Sequence, residues 1–271
     1  MLAHQWYGSS GMPVVFLHGL LGSQEDWADI IALLQNSPQI RSLVIDLPFH
    51  GKSGHIACRD FHEMRNLLHS TLTALLPPQP FLLVGYSLGG RIALDYTLNM
   101  PNRYLCHTVL EGAHVGLNDE NERENRRIHD AAWASRFRHE PMKDVLTAWY
   151  QQPVFAALDD HKRSVLIEKK QKNNGKRIAQ MLEATGLANQ PFYGKHNLSQ
   201  CTFLIGEHDR KFRHMAETYR LPYQLICHAG HNAHFENPAQ FVKQLLNIIN
   251  KEYSWLYTVA RNVVKKSATV R

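Results

Sequence analysis

The chain has 271 residues, of which 44% are hydrophobic and 20% charged, so a packed interior is possible and a wholly disordered chain is excluded. At about 150 residues per domain this length gives fewer than two domains, and we expect one core with room for one insertion. Thirty Lys and Arg against 24 Asp and Glu give a net charge of +6. This excess favours anionic partners without choosing among carboxylates, phosphates and nucleic acid.

The spacing of the four cysteines favours a reducing compartment. Cys58, Cys106, Cys201 and Cys227 form neither a CxxC metal motif nor a dense disulfide framework. The first residues lack the basic and apolar stretches of a signal peptide, and no apolar run approaches the roughly 18 residues that a membrane span needs. We therefore expect a cytoplasmic protein with no stable membrane insertion.

The first 115 residues alternate short apolar runs with longer amphipathic ones. The predicted strands are 14–17, 43–45, 81–84 and 108–110, and the predicted helices are 26–34, 61–76 and one that begins after Ser87. Continuous apolar strands that alternate with helices indicate a parallel sheet covered on both faces.

The sequence pattern changes over about residues 118–190, where charged segments with helical spacing replace the apolar strand-like runs. Trp133, Phe137, Trp149 and Phe155 are the predicted packing anchors there. Strand-like runs return at 201–205 and 223–227, before a helix over 238–249. We therefore predict an α/β fold: residues 1–115 and 196–254 form the core, 116–195 form a helical lid over the sheet, and 255–271 form a basic peripheral appendage.

The motif Gly85-Tyr86-Ser87-Leu88-Gly89 lies between a buried strand and a helix. In this context G-x-S-x-G predicts a nucleophile elbow, because the glycines allow the sharp turn that lifts the serine hydroxyl above the sheet. An ordinary glycine-rich turn between strand and helix is the alternative.

Two polar segments each follow a later strand. Asp209 comes after the strand at 201–205, and His231 comes after the strand at 223–227. The chain order Ser87, Asp209, His231 is that of an α/β-hydrolase triad. Alternatives remain open, because Asp209 could instead cap a helix and Glu207 competes as the acid.

Two other patterns in the sequence could indicate a metal site or a nucleotide site. His228, His231 and His234 could hold a metal ion, but spacings of three straddle a turn and lack a matching acidic motif, so we predict no metal site. Gly51-Lys52-Ser53 resembles the end of a phosphate loop, but Asp46 stands where the first glycine is required, and we reject a nucleotide site.

The segment His18-Gly19-Leu20-Leu21-Gly22 follows the first predicted strand. Its position predicts one backbone N–H of an oxyanion hole at Leu20, with the second at Leu88, directly after the serine. A simple glycine turn is the alternative.

These motifs together resemble the α/β-hydrolase superfamily over most of the chain. Within it, the chain is similar to the 2-succinyl-6-hydroxy-2,4-cyclohexadiene-1-carboxylate (SHCHC) synthases of menaquinone biosynthesis. The segments that carry this resemblance are WYQQPVF at 149–155, NNG at 173–175, MLEAT at 181–185 and GHNAH at 230–234.

The resemblance implies a lyase that removes a proton α to a succinyl ketone and expels pyruvate from an enolpyruvyl cyclohexene carboxylate. It implies that Ser87 is the base, activated through His231 and Asp209, and that Leu20 and Leu88 hold the enolate oxygen. No cofactor and no metal are implied. The expected partner is a small anionic polycarboxylate, not nucleic acid, and we expect a monomer or a small homo-oligomer.

The resemblance also implies cations for the substrate carboxylates. Arg91 and Arg126 match family positions, although either could be an ordinary surface arginine, and Arg126 could pair with Glu122 on its helix. Tyr86 and Trp149 would line the pocket, although tryptophan at helical spacing is usually core.

The chain departs from the family pattern at three places. Lys170 stands where the family has an arginine, which keeps the charge but loses bidentate geometry. Phe49 replaces a usual glycine in the loop 46–51, and the basic tail has no recognised counterpart.

Two other classes of function remain at this point. An esterase, thioesterase or carbon–carbon hydrolase would share the triad, but a hydrolase of neutral esters would favour an apolar lid, whereas Arg126 and Lys170 suit an anionic substrate. A non-catalytic receptor or nucleic-acid binder fits the basic charge, but the complete triad and the lack of a nucleic-acid motif argue against it.

Overall fold

One seven-stranded sheet organises the residues that the computed structural model describes, which are 1–35 and 37–268, with side chains for 1–35, 37–252 and 254. The strand order is β1-β3-β2-β4-β5-β6-β7, and every neighbouring pair is parallel except the antiparallel pair β1 and β3. The strands are β1 His4–Tyr7, β2 Met12–Leu17, β3 Ile40–Ile45, β4 Phe81–Tyr86, β5 Leu105–Glu111, β6 Cys201–Gly206 and β7 Tyr223–Ile226.

Ten α-helices are described alongside short 3-10 turns. They are α1 Ala28–Leu34, α2 Phe61–Leu75, α3 Leu88–Asn99, α4 Glu120–His139, α5 Met142–Trp149, α6 Asp160–Lys170, α7 Gly175–Thr185, α8 Arg210–Tyr219, α9 Ala233–Glu236 and α10 Pro238–Ala268. None of the helices in the described residues has the length and apolarity that a bilayer crossing requires.

Two buried apolar clusters, one on each face of the sheet, confirm the predicted parallel sheet covered on both faces. The sequence did not predict β1, because this four-residue antiparallel edge strand is only partly buried and carries no apolar run. The predicted helix 26–34 is a 3-10 turn, Gln24–Trp27, followed by α1.

Helices α4 to α7 lie between β5 and β6 along the chain, and all four fall within the insertion 116–195 that is predicted to form the lid. They have their own apolar cluster, in which Phe137 and Phe155 are buried and Trp133 and Trp149 pack against it. The division of the chain into core and lid stays a prediction, although this separate cluster agrees with it.

The last helix is longer than the sequence indicated. The prediction ended it at 249, whereas α10 continues to Ala268 and so takes in most of the predicted appendage 255–271. Phe241, Leu245 and Ile249 of its first half are fully buried in the core. Residues 269–271 lie outside the described residues, and the role of the basic tail stays a prediction.

Two buried histidines fix the loops that follow β2 and β3. Leu47 N–H donates to His18 Nε2 at 3.0 Å, and Leu21 N–H donates to His50 Nε2 at 3.1 Å. Each ring must therefore carry its proton on Nδ1, which donates to a carbonyl of its own loop. Burial lowers the pKa of His18 to about 4 and, with the nearby charge of His18, that of His50 to about 3.

We expect acid to destabilise the fold through these two rings. Their folded pKa values lie below the unfolded value of about 6.5, so their contribution is complete above pH 6.5 and is lost as pH falls toward 4. Each ring should lower the free energy of unfolding by about 2 kcal/mol between pH 6.5 and pH 5. Urea unfolding at pH 7.5, 6.5 and 5 measures this, and equal values at all three would contradict it.

Candidate active site

Ser87 lies in a sharp turn between β4 and α3, with φ of 49° and ψ of −107°. A non-glycine residue with positive φ is uncommon and marks a strained position. The turn fits because a Cβ at Gly85 would collide with the backbone of Gly89, and a Cβ at Gly89 would collide with the carbonyl oxygens of Leu17 and His18. Both glycines of the motif are therefore needed for close backbone approach.

We expect Gly89→Ala to lower the free energy of unfolding by about 1–3 kcal/mol, because the new methyl group meets backbone that cannot move aside. Gly54→Ala is the matched control, since its Cβ would meet the end of the Arg177 side chain, which can swing away. Thermal unfolding of both variants checks this, and equal melting temperatures would contradict it.

The structure brings His231 and Asp209 together. His231 Nδ1 lies 2.8 Å from Asp209 Oδ2, and both side chains are buried. The other oxygen of Asp209 accepts the backbone N–H of Phe212 at 3.2 Å, so Asp209 also caps α8. Glu207, the competing acid, accepts instead from the backbone N–H of His228.

Ser87 and His231 are not joined by a hydrogen bond in the described residues. His231 is packed between the rings of Phe212, Tyr86 and Phe155, with centroid distances of 4.8, 5.6 and 5.9 Å. Catalytic hydrogen bonds often tighten only when substrate is bound. The complete triad therefore stays a proposal. Of its two hydrogen bonds, the structure contains the one between His231 and Asp209.

The two predicted oxyanion donors flank the serine. Leu20 lines the same cavity as Ser87, and Leu88 is the first residue of α3. Neither backbone N–H has an acceptor among the hydrogen bonds of the described residues. Both are therefore free to bind a developing negative charge.

Ser87 opens into a cavity of about 80 Å³ between the core and the lid. Tyr86 and Trp149 line this cavity, and their role in binding substrate stays a prediction. The Tyr86 hydroxyl donates to Asn232 Oδ1 at 2.6 Å, which fixes the ring. Trp149 also packs edge-on against Trp133 at 5.0 Å, so it belongs to both the lid core and the cavity.

Lys170 reaches the cavity with its charge already paired. Its side chain is 8% exposed and its ammonium binds the carboxylate of Asp26, which also lines the cavity. Although burial opposes ionisation, the contact with Lys170 lowers the pKa of Asp26. A substrate carboxylate would have to compete with Asp26 for this lysine.

Arg91 and Arg126 are not among the residues that line this cavity. Arg91 donates to the carbonyl of Thr185 at 2.8 Å, at the end of α7, and Arg126 binds Asp130 at 2.8 Å. The Arg126 partner is thus Asp130, not Glu122 as the alternative had it. Desolvation and the charge of Arg126 lower the pKa of Arg91 to about 9, so the two arginines are neighbours.

The three histidines considered as metal ligands do not converge. His231 binds Asp209, and His234 binds Glu111 at 2.8 Å. His228 is exposed and lies instead near Glu207 and His208.

Sequence reasoning missed two acidic residues at this site, Asp26 and Glu111. Asp26 precedes Trp27 in a 3-10 turn, and Glu111 ends β5 with no exposed surface. Their partners are 144 and 123 residues away along the chain, so local pattern cannot identify them. An acid at the carboxyl end of a predicted strand is the one signal that could have pointed to Glu111.

This fold and this elbow define an α/β-hydrolase. The family model described as alpha/beta hydrolase fold matches residues 12–238, and the chain belongs to that family. Among solved structures, MenH from S. aureus superimposes with a TM-score of 0.83 at 24% identity, covering 93% of this chain and all of that one. A thermophilic esterase from Thermogutta terrifontis superimposes with a TM-score of 0.73 at 22% identity, covering 93% of both chains. At these identities the likeness shows the fold.

Relatives of higher identity define the subfamily. The SHCHC synthase of Citrobacter koseri is 45% identical over 89% of this chain and 96% of its own. The enzyme of the same name from Photorhabdus laumondii is 42% identical over 94% of this chain and 93% of its own. The chain belongs to the SHCHC synthase family, which confirms the resemblance seen in its motifs.

Proposed function

We propose that this protein is an SHCHC synthase, which eliminates pyruvate from 2-succinyl-5-enolpyruvyl-6-hydroxy-3-cyclohexene-1-carboxylate in menaquinone biosynthesis. The observation that carries the proposal is the 42–45% identity to synthases of that name over about nine-tenths of the chain. The free serine at the elbow and the buried His231–Asp209 pair supply the chemistry that this reaction needs.

In the proposed mechanism Ser87 takes the proton from the carbon next to the succinyl ketone. Asp209 holds the proton of His231 on Nδ1, which leaves Nε2 as the acceptor that activates the serine. The negative charge that develops on the ketone oxygen is bound by the N–H groups of Leu20 and Leu88. The C–O bond to the enolpyruvyl group then breaks.

We propose that the lid moves when the substrate enters. A cavity of about 80 Å³ is well below the roughly 300 Å³ or more of a site for a small molecule. We propose that displacement of the lid brings Ser87 and His231 into contact and exposes Lys170, Arg91 and Arg126 to the substrate carboxylates. Arg91 already contacts the lid at Thr185, and Arg126 lies on α4 of the lid itself, so lid movement would reposition both arginines.

We propose a cytoplasmic location, as the cysteine spacing predicts. All four cysteines are free thiols, which suits a reducing compartment. The proposed partner is a small polycarboxylate anion.

The test is to supply the enolpyruvyl cyclohexene substrate and measure pyruvate release, beside cleavage of a short-chain ester. We expect fast pyruvate release. Fast ester cleavage without pyruvate would support a hydrolase instead.

We expect Arg126→Ala to raise KM by about 10-fold or more, with a smaller effect on kcat, because the loss of one charged hydrogen bond to a carboxylate costs about 1.5–3 kcal/mol. Arg127→Ala, at the next position on α4, is the matched control because Arg127 is exposed and pairs with Glu124. Steady-state kinetics of pyruvate release measure both. An unchanged KM would make Arg126 a partner of Asp130 only.

A further inference from the structure

A second histidine–carboxylate pair lies at the same cavity as Ser87. His234 Nδ1 is 2.8 and 2.9 Å from the two oxygens of Glu111, and the backbone N–H of His234 donates to Glu111 Oε1 at 2.9 Å. The Glu111 side chain is 1% exposed and that of His234 is 4% exposed. The pair therefore has the same form as His231–Asp209, with a buried acid on Nδ1.

The two pairs flank one ring. Tyr86, the neighbour of Ser87, lies 5.6 Å from His231 and 4.7 Å from His234, measured between ring centroids. Glu111 is also tied to the elbow, because its carbonyl oxygen accepts the backbone N–H of Ser87 at 2.7 Å. His234 and Ser87 both line the cavity.

The hydrogen bonds leave one atom of His234 available. Glu111 is an acceptor, so Nδ1 carries a proton, and Nε2 has no hydrogen-bond partner among the described residues. The only ion pair of Glu111 in the described part of the chain is with His234. A buried carboxylate is stabilised by an opposite charge in contact, so an imidazolium, with a second proton on Nε2, would balance Glu111.

The proposed elimination needs an acid as well as a base. Removal of the carbon-bound proton forms a C=C bond as the C–O bond breaks, and the departing oxygen carries the charge of an enolate. At that stage the Ser87–His231 pair already holds the proton that was removed from carbon. A second, protonated group at the cavity would lower the barrier to departure.

We propose that His234, held by Glu111, is the general acid that gives its Nε2 proton to the leaving oxygen. The inference rests on the proposed lyase function. One proton passes from carbon through Ser87 to His231, one passes from His234 to the leaving group, and enolpyruvate departs and becomes pyruvate in water. His231 then loses its proton to solvent and His234 regains one, which restores both rings.

Three titratable groups face His234 from the elements around it. They are Glu111 at the end of β5, Asp26 from the turn before α1, and Tyr86 at the end of β4. Trp27 and Phe241 cover the remaining faces of the ring, at centroid distances of 4.7 and 6.2 Å. The acid thus sits among two carboxylates and a tyrosine, with apolar rings behind it.

His234→Asn separates this role from a structural one. The asparagine amide keeps an N–H donor where Nδ1 stood, so the contact with Glu111 persists, but nothing replaces Nε2. We expect kcat for pyruvate release to fall about 10²–10⁴-fold and KM to change little. His228→Asn, at an exposed histidine outside the cavity, is the control and should match the parent protein.

A change of leaving group completes the test. An analogue with acetate in place of the enolpyruvyl group needs no proton for departure, so His234→Asn should approach the parent rate on it, while Ser87→Ala should stay inactive. Should His234→Asn fail to fold, Glu111→Gln should lower kcat on the natural substrate and leave the rate on the acetate analogue close to that of the parent.

The inference is overturned if His234→Asn keeps the parent kcat on the natural substrate. It is also overturned if kcat falls by the same factor on the natural substrate and on the acetate analogue. A parent protein that releases no pyruvate at all would instead overturn the proposed function, so the two failures are distinguishable.

Discussion

Ser87→Ala is expected to lower kcat for pyruvate release by at least about 10³-fold, because removal of one member of a triad abolishes most of its contribution. The fold should be unaffected, since the Ser87 hydroxyl makes no hydrogen bond within the described residues and the strained backbone turn is set by Gly85 and Gly89. Steady-state kinetics and thermal unfolding of the same preparation measure both quantities.

Ser70→Ala is the matched control for this variant. Ser70 is exposed on α2 and donates only to the carbonyl of Asn66 in its own helix, so its loss should leave turnover unchanged. Near-normal turnover of Ser87→Ala would remove the serine from the mechanism and leave His231 to act on the substrate directly.

Asp26→Ala is expected to lower the free energy of unfolding by about 3–5 kcal/mol, because it leaves the ammonium of Lys170 buried without its counterion. Lys170→Met should lower the free energy of unfolding by less in the Asp26→Ala background than in the parent protein. Urea unfolding of the two single variants and the double variant gives the coupling energy between the side chains.

The neighbouring pair of Glu25 and Lys172 serves as the control. It also joins the turn before α1 to the lid, but its side chains are 74% and 63% exposed. Glu25→Ala should therefore cost less than about 1 kcal/mol. Equal losses for Asp26→Ala and Glu25→Ala would show that burial of Lys170 does not govern this contact.

The features that the sequence predicts well are local ones. Fully buried parallel strands leave continuous apolar runs, and the turn at Ser87 requires glycines at fixed offsets, so β2, β4 and the elbow can be identified from a single sequence. β1 escapes prediction because its pairing with β3 comes from tertiary structure and its side chains are only partly buried.

The charges of the site are predictable, but their partners are not. Lys170 was expected at the pocket from the resemblance, yet Asp26, which neutralises it, lies in a different part of the chain and meets it only through packing of the lid on the core. For Arg126 the ambiguity is local, because Glu122 and Asp130 both stand four residues from it on α4 and only the structure shows that Asp130 is the partner.

Phe49 combines a backbone conformation typical of glycine with a buried aromatic side chain. The resemblance places it where a glycine is usual, and the backbone there adopts φ of 65°, a region that favours glycine. The side chain is 8% exposed within the larger apolar cluster, so its burial offsets the backbone strain.

The attachment of the lid has an evolutionary consequence. The chain leaves the sheet at the end of β5 and re-enters at β6, the adjacent strand, so none of the strand pairings that support the nucleophile involves the inserted helices. Evolution can therefore change the residues of those helices, and with them the range of substrates that reach Ser87, while the strand pairings of the sheet stay the same.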